Sequence, residues 1–431
     1  MFCAPLQGST TVATSWIHDI DMDATPVGSP LATFASLLLG LFLLYISILT
    51  LTLPHWSLPY IRLALAPPTI RFFWNFGYGS YEAPTRALAA GMSTISLYGI
   101  MRVVEHSVIY LWDPKPPHWV IHTQFAKPTV LPLPNTFQGR CLYALDLLTS
   151  LRGSSWFPDL EWSWIPPSIR LSLPPLALSR KQFITCNVRT LVTHYVLLDL
   201  CDTINKSRIW EAELPNPVTS LPILQQFIFT TSLCAGTVLS ITIPYTLVSS
   251  VCVLFGSSPC SWPPMFNSPF FSKSLRDFWS RRWHAIFRRV FERLSIPPMN
   301  LSLFIFGRDA RLDERVMSFM RLSIAFALST LLHLIIMHRL ALRECRRNGR
   351  TDNSPFLDAS VLRLFLSQPL GLFLESMWVS IPLPFGCHMS HGLFTTGCCR
   401  CPEVVRPMAP SRACVHGCSY SGQAVRGPIS G

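Results

Sequence analysis

The chain has 431 residues, 49% hydrophobic and only 13% charged, with a mean hydropathy of +0.35. A soluble domain carries about 25% charged residues, so this composition excludes an ordinary soluble enzyme and places the chain in the membrane class. The net charge of +12 does not collect in a separate basic domain. The arginines flank apolar runs, which argues for loops facing lipid headgroups on the cytoplasmic side rather than a nucleic-acid surface.

Residues 1–30 form a polar N-terminal segment. It has no basic start and carries Asp19, Asp21 and Asp23, so it does not read as a secretory signal. Leu31 to Leu53 is uncharged over 23 residues, against the about 20 needed to cross a bilayer core, and Pro54 closes it. Ser57 to Phe76 is apolar but interrupted by Pro67, Pro68 and two arginines, and reads as a short or interfacial piece. Ala87 to Trp112 reads as a span only if Arg102, Glu105 and His106 face the protein interior or a wet cavity.

Residues 113–180 are rich in Pro and Trp without helical period, as in a loop region or interfacial lid. Thr190 to Cys201 is a short apolar stretch, Phe227 to Phe255 a nearly charge-free span, and 256–316 an Arg-rich connection. Leu322 to Met337 contains no Lys, Arg, Asp or Glu, and Val361 to Phe385 is apolar around Gln368 and Glu375. The total is roughly five to eight spans, with no internal repeat. Eight of the 14 Cys are scattered singly, several in apolar runs such as Cys234 and Cys252, where a free thiol behaves as a small hydrophobe.

Residues 274–294 read SLRDFWSRRWHAIFRRVFERL. On a helical wheel of about 100° per residue, Trp279, Trp283, Ile286, Phe287, Val290, Phe291 and Leu294 share one arc, with Asp277, Arg281, Arg288 and Glu292 opposite. This predicts one basic amphipathic helix, with Asp277 and Arg281 as i,i+4 partners. Its plain role is an anchor in the membrane interface. Its sharper role is the cytosolic mouth of an active site, with Arg281 and Arg282 meeting the phosphates of a cofactor such as coenzyme A.

His333 is the one ionisable group in the run 322–337, and shares a helix face with Phe326, Ser329 and Thr330. An ionisable residue at bilayer depth is a functional candidate. A neutral imidazole there suits a general base acting on a hydroxyl, oriented by a hydrogen bond with Ser329. The competing role is a structural histidine bonded to a neighbouring helix.

Four stretches, in order, resemble the fungal branch of the wax-synthase-like membrane-bound O-acyltransferases. They are LLTSLRGSSW (147–156), SPFFSKSLRDFWSRRWHAIFRR (268–289), FALSTLLHLI (326–335) and FLSQPLGLFLES (365–376). The second is long and specific, and the resemblance covers roughly residues 30–386. It implies an all-α integral membrane protein, a multi-helix bundle around an internal reaction chamber, in a domain spanning 31–386. It also implies acetyl transfer, or transfer of another acyl group, from acyl-CoA to a terpenoid or other secondary-metabolite hydroxyl.

In that reading His333 is the catalytic base, and Trp283-His284 is the pair beside the chamber, positioning the thioester or stabilising its oxyanion. Acetyl-CoA or another acyl-CoA is co-substrate, with no bound cofactor and no metal. The partners are a hydroxylated lipid-like molecule and the bilayer, with no nucleic acid, and the expected location is multi-pass in the endoplasmic reticulum. Two positions depart from the family pattern: Thr330 and Ser155 stand where glycine is expected.

The composition changes after about Gly386. Residues 387–431 hold six Cys and almost no apolar run, as in a disordered, frame-shifted or intron-derived tail. A zinc knuckle from Cys398, Cys399, Cys401, His416 and Cys418 fits poorly with Cys-x₂₋₄-Cys spacing. Two rivals to catalysis remain: a transporter in which His333 and Glu375 relay protons, and an inactive, truncated acyltransferase.

Overall fold

The computed structural model describes residues 29–53, 55–112, 115–121, 129–157, 160–170, 178–206, 221–283, 285–306, 314–347 and 358–380. The 387–431 tail, with its zinc-knuckle cysteines, and His284 lie outside the described residues. Four described helical stretches are long and apolar enough to cross a membrane: Pro30–Thr52, Arg86–Ile109, Ile223–Leu254 and Val316–Arg343.

Helices α1 (Pro30–Leu49), α2 (Leu58–Tyr78) and α3 (Arg86–Val104) pack as one layer. Close approach depends on glycine: a Cβ at Gly99 of α3 would lie 2.4 Å from the Phe73 ring of α2. The Ser96 hydroxyl donates to the Phe73 carbonyl at 2.7 Å in the same contact. This is small-residue packing of the kind that holds membrane helices together. Contrary to expectation, α2 runs unbroken through Pro67 and Pro68 for 21 residues. Its interruptions are absorbed by packing: Arg62 is buried and donates to the Thr50 hydroxyl, and the Thr69 hydroxyl turns back to the Leu65 carbonyl.

The Pro/Trp-rich region has more order than its composition shows. Strands β1 (Trp119–Ile121), β2 (Thr129–Val130) and β3 (Leu160–Trp162) form a small antiparallel sheet in the order β2-β1-β3, with Trp119 opposite Trp162. Helix α4 (Phe137–Thr149), capped by the Thr136 hydroxyl on the Gly139 N–H, packs against it. Tyr143, Ala144 and Leu147 of α4 and Trp162 of β3 share one core with Leu44 and Ile48 of α1 and Phe73 of α2.

At the centre of this region is Asp146. It accepts from Trp119 Nε1 at 2.8 Å, the Ser155 hydroxyl at 2.8 Å and the Trp156 N–H at 2.9 Å. Burial pushes its carboxyl above the usual range, against the pull of those donors. Ser155 therefore supplies a hydrogen bond that glycine has no side chain to make.

Helices α5 (Arg180–Asn205) and α6 (Ile223–Leu254) form a hairpin. A capping box of Ser179 and Gln182 starts α5. Asn187 bridges the pair by donating to the Ser249 and Ser250 hydroxyls at 3.2 and 3.0 Å. Then come α7 (Arg288–Leu294), α8 (Ile296–Phe306), α9 (Glu314–Arg347) and α10 (Ala359–Ser380). Among the described residues Cys141, Cys186, Cys201, Cys234, Cys252 and Cys260 are free thiols.

Arg152 and Gly153 fasten the loop after α4 to the segment that begins the functional region. The buried Arg152 guanidinium donates to the carbonyls of Pro263 and Pro264 and to the Tyr245 hydroxyl. Gly153 has φ +91°, and a Cβ there would lie 2.7 Å from the Ile165 Cα. Gly153→Ala is therefore expected to cost about 1–3 kcal/mol from the backbone conformation alone. The check is a lowered thermal midpoint of the detergent-solubilised protein.

Candidate active site

The segment predicted as one amphipathic helix, 274–294, is broken. It starts as a helical turn, Leu275–Asp277, capped by the Ser274 hydroxyl, then widens into a π turn over Phe278–Arg282. At Trp283 the backbone becomes extended (φ −72°, ψ 152°), and α7 begins only at Arg288.

Tertiary contacts account for the break. The Arg282 carbonyl accepts the Asn267 N–H at 3.0 Å, while the Arg282 guanidinium holds the Asn267 and Ser268 carbonyls at 3.3 and 3.2 Å. The wider turn also changes the ion pair: Asp277 meets Arg282 at 2.6 Å, five residues on, instead of Arg281. Burial pushes the Asp277 carboxyl up. The Arg282 hydrogen bond, the Lys273 N–H and the charges of Arg282 and Arg281 outweigh it, holding it below the usual carboxylate range. Arg282 is thus committed within the chain, and Arg281 is exposed.

His333 sits half-buried on α9. Its Nδ1 lies 2.7 Å from the Ser329 backbone carbonyl, so Ser329 orients the ring through its backbone. A carbonyl has no proton to give. Nδ1 must donate, and Nε2 of the neutral ring carries the lone pair. Thr330, one turn earlier, is buried, with its hydroxyl satisfied by the Phe326 carbonyl at 2.7 Å. Its polar group therefore needs no partner on another helix.

Helix α10 presents one face to this region by helical spacing: Phe365, Gln368, Gly371 and Glu375. Phe365 lies against the His333 ring, centroids 4.2 Å apart and planes at 30°. Gln368 accepts from Trp279 Nε1 at 3.0 Å, and a Cβ at Gly371 would press to 3.0 Å from Leu275. The Glu375 carboxylate accepts the Arg276 N–H at 3.1 Å, filling an otherwise unpaired donor at the start of the Leu275–Asp277 turn. No direct hydrogen bond joins Glu375 to His333.

Trp279, rather than Trp283, reaches the His333 helix. Its ring meets Phe326 edge-on at 5.3 Å. Trp283 stacks on Phe278 at 5.1 Å and lies 5.9 Å from Trp279. The wheel placed Trp279 and Trp283 on one apolar arc, and the resemblance drew attention to Trp283; the contact of Trp279 with Phe326 went unread. The spacing of 365, 368, 371 and 375 was the signal for the α10 face. A cavity of about 50 Å³ between α5 and α6, lined by Leu198, Cys201, Asp202, Asn205 and Gly236, includes none of the expected site residues.

A second polar cluster anchors the other end of the broken segment. After α3 the chain makes a π turn, Glu105–Ile109, a form frequent at functional positions. The Glu105 carboxylate bridges Arg102 and Arg289, each at 2.8 Å. Arg102 also donates to the Leu147 carbonyl at 2.7 Å, and Arg289 lies 4.5 Å over the Trp164 ring. Burial pulls Arg289 down, but Glu105 and Tyr110 outweigh it and raise it. His106 is fully buried and stacks on Tyr110 at 5.5 Å. As expected for charges in a spanning helix, Arg102, Glu105 and His106 all face the protein interior.

Comparison with known proteins finds similarity over part of the chain. Residues 262–351 match the membrane bound O-acyl transferase family. The chain is 32% identical over 138 residues to the acetyltransferase ataH of Aspergillus terreus, covering 31% of this chain and 39% of that one. It is 28% identical over 195 residues to the acetyltransferase ple2 of Rhodocybe pseudopiperita, covering 44% and 49%. It is 24% identical over 268 residues to the O-mevalon transferase yanI of Aspergillus niger, covering 58% and 53%. The chain thus spans about two fifths to half the length of these curated relatives. No solved structure matches it. Four described helices are long and apolar enough to cross a bilayer, and the family match over 262–351 takes in both the broken segment and the His333 helix: this helical integral membrane protein resembles the membrane bound O-acyl transferases over that stretch and is similar to fungal acetyltransferases over part of its length.

Proposed function

We propose that this protein transfers an acetyl group from acetyl-CoA to the hydroxyl of a terpenoid or other secondary-metabolite alcohol, with His333 as general base. The observation that carries the reading is the Nδ1 contact of His333 with the Ser329 carbonyl, which leaves Nε2 as the proton acceptor. The alcohol reaches His333 from the lipid or the lumen, inside a chamber formed by the helical bundle. Nε2 takes the hydroxyl proton as the oxygen attacks the thioester carbonyl. The carbon–sulfur bond breaks, and the leaving CoA sulfur takes the proton back from the imidazolium. No covalent acyl-enzyme forms.

Trp283 and His284 position the thioester or stabilise its oxyanion, and Arg281 and Arg282 give the mouth its positive charge. That mouth faces the cytosol, where acyl-CoA is made and where basic segments prefer to lie, in the endoplasmic reticulum membrane. The printed names of ataH and ple2 support acetyl as the transferred group. Microsomes containing the full chain are expected to move label from acetyl-CoA onto an alcohol in a terpenoid panel. Absence of product across a broad panel of alcohols and acyl-CoAs, with inserted protein present, defeats the reading.

A further inference from the structure

The transferred group must pass close to a wall of aromatic rings. Phe365 packs against the His333 ring, tilted by 30° at 4.2 Å between centroids, and is buried. Phe326, also buried, stands on the same face of α9 two turns before His333. Trp279 closes on Phe326 edge-on at 5.3 Å. Trp279 is held by Gln368, which sits one turn after Phe365 on α10. The hydrogen bond from Trp279 to Gln368 therefore ties the rings of three separate elements into one surface.

The reacting position follows from the imidazole. With Nδ1 held by Ser329, the hydroxyl oxygen stands about 3 Å from Nε2, and the carbonyl carbon it attacks about 3–3.5 Å further. The acyl chain continues from that carbon, so its first methylenes run within a few ångströms of the ring packed against His333.

We propose that Phe365 determines acyl length, its ring filling the space that a chain longer than acetyl would occupy. This rests on the acyl-transfer reading above. Adding or removing methylene-sized space in an apolar pocket changes discrimination by about 10–200-fold, and Phe365→Ala removes a whole ring.

The test uses the full-length, membrane-inserted chain with acetyl-, butyryl- and hexanoyl-CoA and one accepted alcohol. Turnover is normalised to inserted protein. The wild type is expected to strongly prefer acetyl-CoA. Phe365→Ala is expected to raise the hexanoyl-to-acetyl ratio of kcat/KM by about 10–200-fold, with Phe365→Leu between the two. Should the alanine variant fail to insert, Phe365→Leu and Phe365→Val read the same ratio. Three outcomes overturn the proposal: a wild type that uses hexanoyl-CoA as well as acetyl-CoA, ratios unchanged in the variants, or loss of acetyl transfer with no gain for longer chains. The last would make Phe365 a support for the imidazole. A wild type inactive with every acyl-CoA is a different result, and it removes the acyl-transfer reading itself.

Discussion

His333→Ala is expected to reduce acyl transfer by about 10²–10⁴-fold, the contribution of a positioned base, while the protein still inserts and accumulates. The alcohol must lose its proton as it attacks the thioester. No other Lys, Arg, Asp, Glu or His lies between Leu322 and Met337 to take over. His333→Gln keeps a polar side chain of similar reach but offers no basic nitrogen, and is expected to be equally inactive.

A packing histidine would behave differently. Loss of its contacts with the Ser329 carbonyl and the Phe365 ring would lower abundance, with a cost of about 1–3 kcal/mol if a partner is left unpaired. Turnover per inserted molecule would stay normal. Measuring labelled ester per inserted molecule separates the two, and normal turnover in His333→Ala would end the assignment of His333 as base.

Glu105→Ala is expected to be the most destabilising single change in the molecule. The side chains of Arg102, Glu105 and Arg289 are 1%, 0% and 7% exposed. One carboxylate serves two guanidiniums, so its removal leaves two buried cations facing each other. Breaking a buried pair costs about 3–5 kcal/mol, and here two pairs share the lost group. The damage would not stay local, because Arg289 is on α7, directly after the broken segment.

The measurement is the folded fraction and thermal midpoint of the solubilised protein by fluorescence-detected size exclusion. Glu105→Gln keeps the shape and an acceptor, and should fall between. Replacing all three residues by Met should recover much of the loss, since apolar residues of similar volume often match a buried ionic cluster. A Glu105→Ala protein as stable as wild type would show that water reaches the two arginines and that the cluster is not a dry joint.

Much of the membrane architecture was legible in the chain itself, because bilayer thickness imposes a length and an apolarity that survive any tertiary arrangement. The uncharged run 31–53 and the run 227–255 both appear as spanning helices. The placement of Arg102, Glu105 and His106 inside the protein followed from the cost of charge in lipid. The resemblance read from 268–289 and 326–335 also held, since it rests on residue identity and order, and the family match covers both stretches entirely.

What the chain alone did not contain was set by contacts between distant residues. Helix α2 runs through two prolines where propensity predicts a break, packed between α1 and α3 with Arg62 bonded to Thr50. The Pro/Trp-rich stretch orders around Asp146 because donors from positions 119, 155 and 156 converge on one carboxylate. No local period records that convergence.

The site shows the same division. A helical wheel assumes an unbroken helix, and so it paired Asp277 with Arg281 and set Trp279 and Trp283 on one arc. The π turn over 278–282 instead moves the ion pair to Arg282 and sends Trp279 to Phe326 and Gln368. The candidate for the base, His333, was legible in the sequence: one ionisable residue in an apolar run. Which of its nitrogens is free, and which ring stands beside it, was decided by the Ser329 carbonyl one turn back on α9 and by Phe365 on α10. Geometry of that kind comes into being only when the helices pack.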